Sequence, residues 1–291
     1  MGTGHQLSQS YQQVALDIEA RLKTALAFDP ALAHARVLEA MAYATLNGGK
    51  RLRGVLAVAS GDLCAIGRER SVTLAAGIEC LHAYTLIHDD LPCMDDSDLR
   101  RGQPSVHRAF DEATAVLAGD GLQALAFELA GAAKLDSQAL IEFAQAVGRH
   151  GTIGGQMQDM LAEAGKIKPT LANLKALHAG KTGALIKFSA LCGPYFDADR
   201  EHYEALSIYG ENLGLAFQIW DDILDVEGNA AQTGKPQGHD ASKLTFTNLQ
   251  GLETSKKQAA DLIKAAQESL PPQALGGLLE EIADFAVHRC H

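Results

Sequence analysis

The sequence predicts an all-α fold, and three observations carry that prediction: apolar residues recur at helical spacing, aromatics make up only 5% of the chain, and Ala, Leu and Gly dominate its composition. Sheets would draw on β-branched and aromatic residues instead. With 291 residues, 47% of them apolar, the chain can bury a large core. No low-complexity linker divides it, so residues 1–291 read as one helical domain.

Taken in order, Val14, Ile18, Leu22 and Leu26 mark the apolar face of a first helix, and Leu32, Val37, Met41 and Leu46 that of a second. Gly48-Gly49 closes the second, and Lys50 to Arg53 opens a third, with Lys50 and Arg53 on one helical face. The next helix runs through Ile78, Leu81, Tyr84 and Leu86 and ends at Asp89-Asp90, because Pro92 disfavours helix at Leu91. An arginine-bearing loop then ends at Gly102-Gln103-Pro104, and Lys168-Pro169-Thr170 starts another helix. The apolar run from Leu215 to Trp220 leads into Asp221-Asp222, with Gly228-Asn229 as its C-cap, and Leu270-Pro271-Pro272 separates the last two helices. On the order of ten helices result.

A net charge of -11 and a pI near 5.4 argue against nucleic acid and anionic membrane surfaces as partners. Five cysteines without a CxxC pair or zinc spacing suit a reducing cytoplasm. No stretch reaches the roughly 18 apolar residues of a membrane span, and the N-terminus lacks the apolar core of a signal peptide. The expectation is a soluble cytoplasmic protein.

Two acidic clusters break a local rule. LIHDDLPCMDDSDLRRG carries Asp89, Asp90, Asp95 and Asp96 at a helix end, and QIWDDILDVEGN carries Asp221, Asp222 and Asp225 at another. Carboxylates there face the negative pole of the helix, at roughly 0.3 to 1 kcal/mol each. Conflicts of this kind concentrate at functional sites. Both pairs sit in strongly apolar helices, whereas a solvated face would spread its charges around the polar side. All candidate donors are oxygen, which points to a hard cation, and magnesium binds through one or two carboxylates plus substrate phosphates. An EF-hand fails, because a loop with Gly102 or Gly228 at its sixth place would open at Ser97 or Ile223.

Basic residues beside glycines read as phosphate contacts in so acidic a chain: Lys50 and Arg53 after Gly48-Gly49, Arg100 and Arg101 after the first cluster, Lys181-Thr182-Gly183, and Gly234-Lys235. Gly180-Lys181-Thr182 imitates the end of a nucleotide P-loop, but its first glycine would have to occupy position 175, which is Lys175.

Together GGKRLR, DDLPCMD with DLRRG, and QIWDDILD with GKPQGHD resemble the trans-prenyl diphosphate synthases over about residues 48 to 247, in motif order and interval. Pro92 and Cys93 form the two-residue insertion seen in the bacterial farnesyl diphosphate branch of that family. The resemblance implies a homodimer of all-α subunits that condenses isopentenyl diphosphate with an allylic diphosphate. It implies three Mg2+ per site, ligated by Asp89, Asp95 and Asp221 and supported by Asp90, Asp96, Asp222 and Asp225. Arg100, Lys181 and Lys235 would contact the allylic diphosphate, with Thr182 and Gln218 nearby. Gly49, Lys50, Arg53, His82 and Arg101 would hold isopentenyl diphosphate, and Gln156 and Asp159 would stand behind Lys181 or the metals. Tyr84 and Thr85 would set product length, the Tyr84 ring plugging the pocket for a fifteen-carbon product.

Rival readings are a geranylgeranyl diphosphate synthase, a terpene cyclase, or a silent subunit modulating another synthase. A cyclase would carry an Asn-Ser-Glu metal motif in place of DDILD, and a silent subunit tends to lose the aspartates and basic anchors present here. His239 before Asp240, and ASKLTFTNLQG without a proline, depart from the family pattern around Lys243. Arg289 reads as a frayed basic terminus in preference to an arm that closes over the isopentenyl site.

Overall fold

The computed structural model describes residues 7–196, 201–227 and 244–289. Its elements are α1 (Gln9–Ala25), α2 (Ala35–Leu46), α3 (Leu52–Leu63), α4 (Arg68–Asp89), the hairpin strands β1 (Leu99–Arg100) and β2 (Gln103–Pro104), and α5 (Val106–Ala109). There follow α6 (Glu112–Ala132), α7 (Ser137–Val147), α8 (Thr152–Glu163), α9 (Leu171–His178), a π-helical turn (Ala179–Gly183), α10 (Ala184–Ala190), α11 (Cys192–Phe196) and α12 (Tyr203–Glu227). Among the described residues the helices Phe246–Gln250, Leu252–Ser269 and Leu278–His288 follow, with a 3-10 turn at Pro272–Ala274. The fold among the described residues is all-α apart from that hairpin, as the composition predicts.

Local chemistry starts these helices. Ser8, Asp111, Asp136, Thr170 and Thr245 each cap an N-terminus by accepting a backbone N–H with the side-chain oxygen, from Tyr11, Thr114, Ala139, Asn173 and Asn248 respectively. Each such cap is worth about 1 kcal/mol.

Helix α4 is the axis of the molecule. It is buried on nearly every side from Ser71 to Tyr84 and packs chiefly on α6 and α3, which is the behaviour of a helix apolar all round. Small residues permit the approach: a Cβ on Gly77 would sit 2.9 Å from the Ala126 carbonyl oxygen of α6. Across the core, α12 packs on Leu252–Ser269 and α10. Buried apolar side chains from Tyr11 to Val287 form one contiguous cluster, and α4 and α12 carry the acidic motifs at their C-terminal ends. Val14, Ile18, Leu22 and Leu26 are buried as expected. Leu32 is not: it precedes α2 and is 42% exposed.

Candidate active site

Helix α4 ends at Asp89, and the chain folds back at once, the Asp95 N–H donating to the Asp89 carbonyl at 2.9 Å and the Ser97 N–H to that of Asp90 at 3.1 Å. The cation that the misplaced carboxylates demand is Arg100 on the hairpin. Its guanidinium takes both Asp90 oxygens, with Nε 3.1 Å from each and Nη2 closing the fork. Asp90 is 2% exposed, while the Arg100 side chain keeps 30% of its surface open. Half-buried Asp89 accepts from Gln156 Nε2 at 2.5 Å. Burial lifts the Asp89 carboxyl above the ordinary range against the pull of Lys181, and Asp95 and Asp90 add to the rise. Asp95 is exposed, and Asp96 turns outward to Arg108 at 3.3 Å.

Lys181 reaches this rim from the π-helical turn, a distortion that interrupts α9 and α10 and re-aims their side chains. Its Nζ lies 2.6 Å from Asp159. Burial works against the ammonium, but Asp159, Asp89 and Asp95 outweigh it and raise its pKa. Gln156 and Asp159 thus stand behind Asp89 and Lys181, one turn apart on α8. Thr182 is buried beside them.

Two cavities meet here. One, of about 550 Å³, is lined by Tyr84, Thr85, His88, Met157 and Met160, with Asp89, Gln156, Lys181 and Thr182 toward the motif. Tyr84 is 6% exposed and packs edge-on against His88, their ring centres 5.3 Å apart. The other, of about 600 Å³, is a basic cleft lined by Gly49, Lys50, Arg53, Arg101, Asp221 and Arg289. Arg53 and His82 line both. They stand 3.5 Å apart, and Arg53 keeps a buried Nε with no hydrogen-bond partner. Burial, then the neighbouring Arg53 and Arg101, holds the His82 imidazole well below its usual pKa, leaving it neutral.

The cleft loop corrects one expectation. Helix α3 begins at Leu52, so Lys50 precedes it and shares no helical face with Arg53. Arg51 at φ 55° turns the chain, sends Lys50 over the Phe285 ring at 4.8 Å, and drives its own guanidinium inward to Glu79 at 3.7 Å, both side chains 3% exposed. Glu79 also accepts the Gly54 N–H at 2.8 Å, and Tyr11 donates to the Lys50 carbonyl at 2.7 Å. Gly49, at φ 109°, must lack a side chain, since a Cβ would meet the Arg101 guanidinium at 2.7 Å. Arg101 itself donates to the Gly48 carbonyl at 2.6 Å.

At the second motif, Asp221 is half exposed and takes Gln218 Nε2 at 3.0 Å and Arg289 Nη2 at 2.6 Å. Arg289 is therefore not frayed: its side chain is 4% exposed and its carbonyl accepts the Trp220 indole N–H at 3.2 Å. Asp222 accepts the Phe246 N–H at 2.7 Å, and the Phe246 ring stacks on His178, which feels Asp159 and Asp221 together. Asp225 is half-buried one turn beyond Asp221. Lys235, His239, Asp240, Lys243 and the Gly228-Asn229 cap lie outside the described residues.

Among the described residues no three His, Cys, Asp or Glu side chains are gathered tightly enough to hold a metal by themselves. The donor set still fits magnesium, because it is all carboxylate, lies on two rims, and leaves coordination positions for phosphate oxygens. Asp89 supplies a further sign of fit, being a half-buried carboxylate whose burial opposes its charge despite Lys181. Glu79 and His178 are functional neighbours that motif reading passed over, and Arg289 is one that it misread as a frayed terminus. Only Glu79 left a trace, as a lone carboxylate in an apolar helix one turn before His82.

The chain belongs to the polyprenyl synthetase family, whose profile matches residues 34–274. It is 46% identical to the farnesyl diphosphate synthase of Escherichia coli over 87% of this chain and 89% of that protein. With the farnesyl diphosphate synthase of Haemophilus influenzae it shares 42% identity over 98% of this chain and 99% of that one. Its fold superposes on the geranyltransferase of Helicobacter pylori, solved with magnesium and isoprenyl diphosphate, at a TM-score of 0.80 and 34% identity, covering 97% of this chain and 98% of that one. No helix among the described residues is long and apolar enough to cross a membrane.

Proposed function

We propose that this chain is a magnesium-dependent prenyltransferase that joins isopentenyl diphosphate to dimethylallyl or geranyl diphosphate, yielding farnesyl diphosphate and free diphosphate. The observation that carries the reading is the meeting of an apolar cavity under an acidic rim with a basic cleft, the two sharing Arg53 and His82. One substrate needs a greasy channel below its diphosphate, and the other needs only an anion site close by.

Asp89, Asp95 and Asp221, with help from Asp222 and Asp225, would hold magnesium, which would supply positive charge at the allylic diphosphate. Lys181, Arg100 and Lys235 add fixed positive charge at the same diphosphate, and Thr182 and Gln218 orient it. Such preplaced charge acts on what develops only in the transition state. The Asp90–Arg100 pair favours Asp90 as a support for Arg100 over a direct metal contact. Lys50, Arg53 and Arg101, with neutral His82 and the Gly49 backbone, hold isopentenyl diphosphate so that its double bond faces the allylic carbon. The departing diphosphate takes the proton lost afterwards. The apolar walls keep water from capturing the cation. Tyr84, with Thr85, floors the cavity and limits the product to fifteen carbons. The chain works as one helical domain, as a homodimer, in the cytoplasm.

The test is incubation of purified protein with isopentenyl diphosphate and each allylic starter, with and without chelator. Metal-dependent fifteen-carbon product is the expected outcome. No elongated chain under any condition would put the silent-subunit reading first, and a twenty-carbon product would move the assignment to a geranylgeranyl synthase. Light scattering on the eluted protein checks the dimer.

A further inference from the structure

Arg289 belongs to neither set of substrate contacts assigned above, yet it lines the basic cleft and pairs with Asp221 of the second acidic motif. Its Nη1 donates to the Ala286 carbonyl at 2.6 Å, and its Nη2 to the Phe217 carbonyl at 2.9 Å and to Asp221 Oδ1 at 2.6 Å. The guanidinium stacks on Phe217, with Cζ 3.5 Å from the ring centre. The same side chain lines the basic cleft with Lys50, Arg53, His82 and Arg101. Asp221, its counter-ion, opens the second acidic motif and borders that cleft as well.

A carboxylate oxygen in so short a charge-assisted bond is not free for a divalent ion until the arginine yields it. A released guanidinium would not leave, because Phe217 and the Ala286 carbonyl hold it at the cleft wall. We propose that Arg289 is a positioning residue shared by the two substrate sites: it neutralises Asp221 until a metal-bound diphosphate claims that carboxylate, and then serves as an added anchor for the isopentenyl diphosphate. The proposal rests on the reading of Asp221 as a metal-side carboxylate. Because coupling between sites is reciprocal, binding of either diphosphate then tightens the other.

Trp220, the chain's single tryptophan, donates its indole N–H to the Arg289 carbonyl at 3.2 Å and so reports on this arm. Full-length protein is titrated with Mg2+ and inorganic pyrophosphate, then with isopentenyl diphosphate, following Trp220 emission and binding heat. In the wild type, Mg2+ with pyrophosphate shifts the emission and tightens isopentenyl diphosphate about tenfold. In Arg289→Gln the magnesium needed for half-saturation falls, and the tightening drops below about twofold. Should that variant unfold, Arg289→Lys carries the test: it keeps the charge beside Asp221 but loses the fork, so magnesium half-saturation stays near wild type while isopentenyl diphosphate binds more weakly. Wild-type magnesium half-saturation and wild-type tightening in Arg289→Gln overturn the proposal, while condensation by the wild type leaves the parent reading intact. A wild-type chain that neither binds Mg2+ with pyrophosphate nor condenses its substrates overturns both.

Discussion

At the first acidic motif, Asp90 is paired with Arg100 ten residues on, and Asp89 is gripped by Gln156. At the second, Asp221 stays 48% exposed and takes its counter-ion from Arg289, sixty-eight residues on. The first motif is pre-formed by its own loop and by Gln156 of α8, whereas the second borrows its order from the last helix and from the Phe246 N–H on Asp222. Pre-formed charge costs no reorganisation at the moment of reaction, but an exchangeable partner lets a site respond to what binds.

The largest effect that would sharpen this contrast is on turnover. Asp89→Asn should lower kcat by about 10²- to 10³-fold with folding intact. Asp221→Asn should lower it by about 10²-fold and also lower KM for isopentenyl diphosphate, because Arg289 is released to the cleft. Steady-state assays with each substrate varied in turn read both, and equal, small losses at the two positions would erase the distinction drawn here.

Stability should separate the motifs next. Asp90→Ala leaves Arg100 without its partner in a largely buried place and should cost about 2 to 4 kcal/mol. Asp222→Ala, which frees one N–H at the start of a short helix, should cost about 1 kcal/mol. Urea unfolding monitored by circular dichroism measures both, and a reversed order would contradict the view of the first motif as the rigid one.

Tyr84→Ala tests the floor beneath the first motif. It should lengthen the product and destabilise the fold by about 3 kcal/mol through the cavity left behind. Chromatography of the hydrolysed products reads the first effect, and an unchanged length would remove Tyr84 from that role.

The smallest expected effect is a pH dependence. Burial, the largest cause, lowers His178 from 6.5 to about 4, and the same cause, joined by Arg53, depresses His82. A base whose pKa falls on folding is protonated more readily in the unfolded chain, so its contribution is present above pH 6.5 and lost as pH drops toward 4. His178→Gln should flatten the decline of melting temperature across that interval, and an unaltered slope would assign the decline elsewhere.

Much of this was legible in the residues themselves. Caps, prolines and apolar spacing located the helices because those signals are local. The aspartates stood out because they violate a local rule, whereas Arg100 read only as a phosphate contact and not as the partner of Asp90. What escaped notice depends on distance or on one dihedral angle. Arg51 in a left-handed conformation took Lys50 off the helix, and nothing near Arg289 in sequence announces Asp221. The π-helical turn at Lys181 follows from packing against α8 and α12, which no sequence period records.

The inward pair of Arg51 and Glu79 has a consequence for how the enzyme meets salt. Exposed Lys50 and Arg101 attract doubly charged ligands from solution, and dissolved ions weaken that attraction over a Debye length of about 8 Å at physiological strength. Between two side chains only 3% exposed, there is no room for an electrolyte to intervene. Rising ionic strength should therefore slow capture of isopentenyl diphosphate while the loop that receives it keeps its shape.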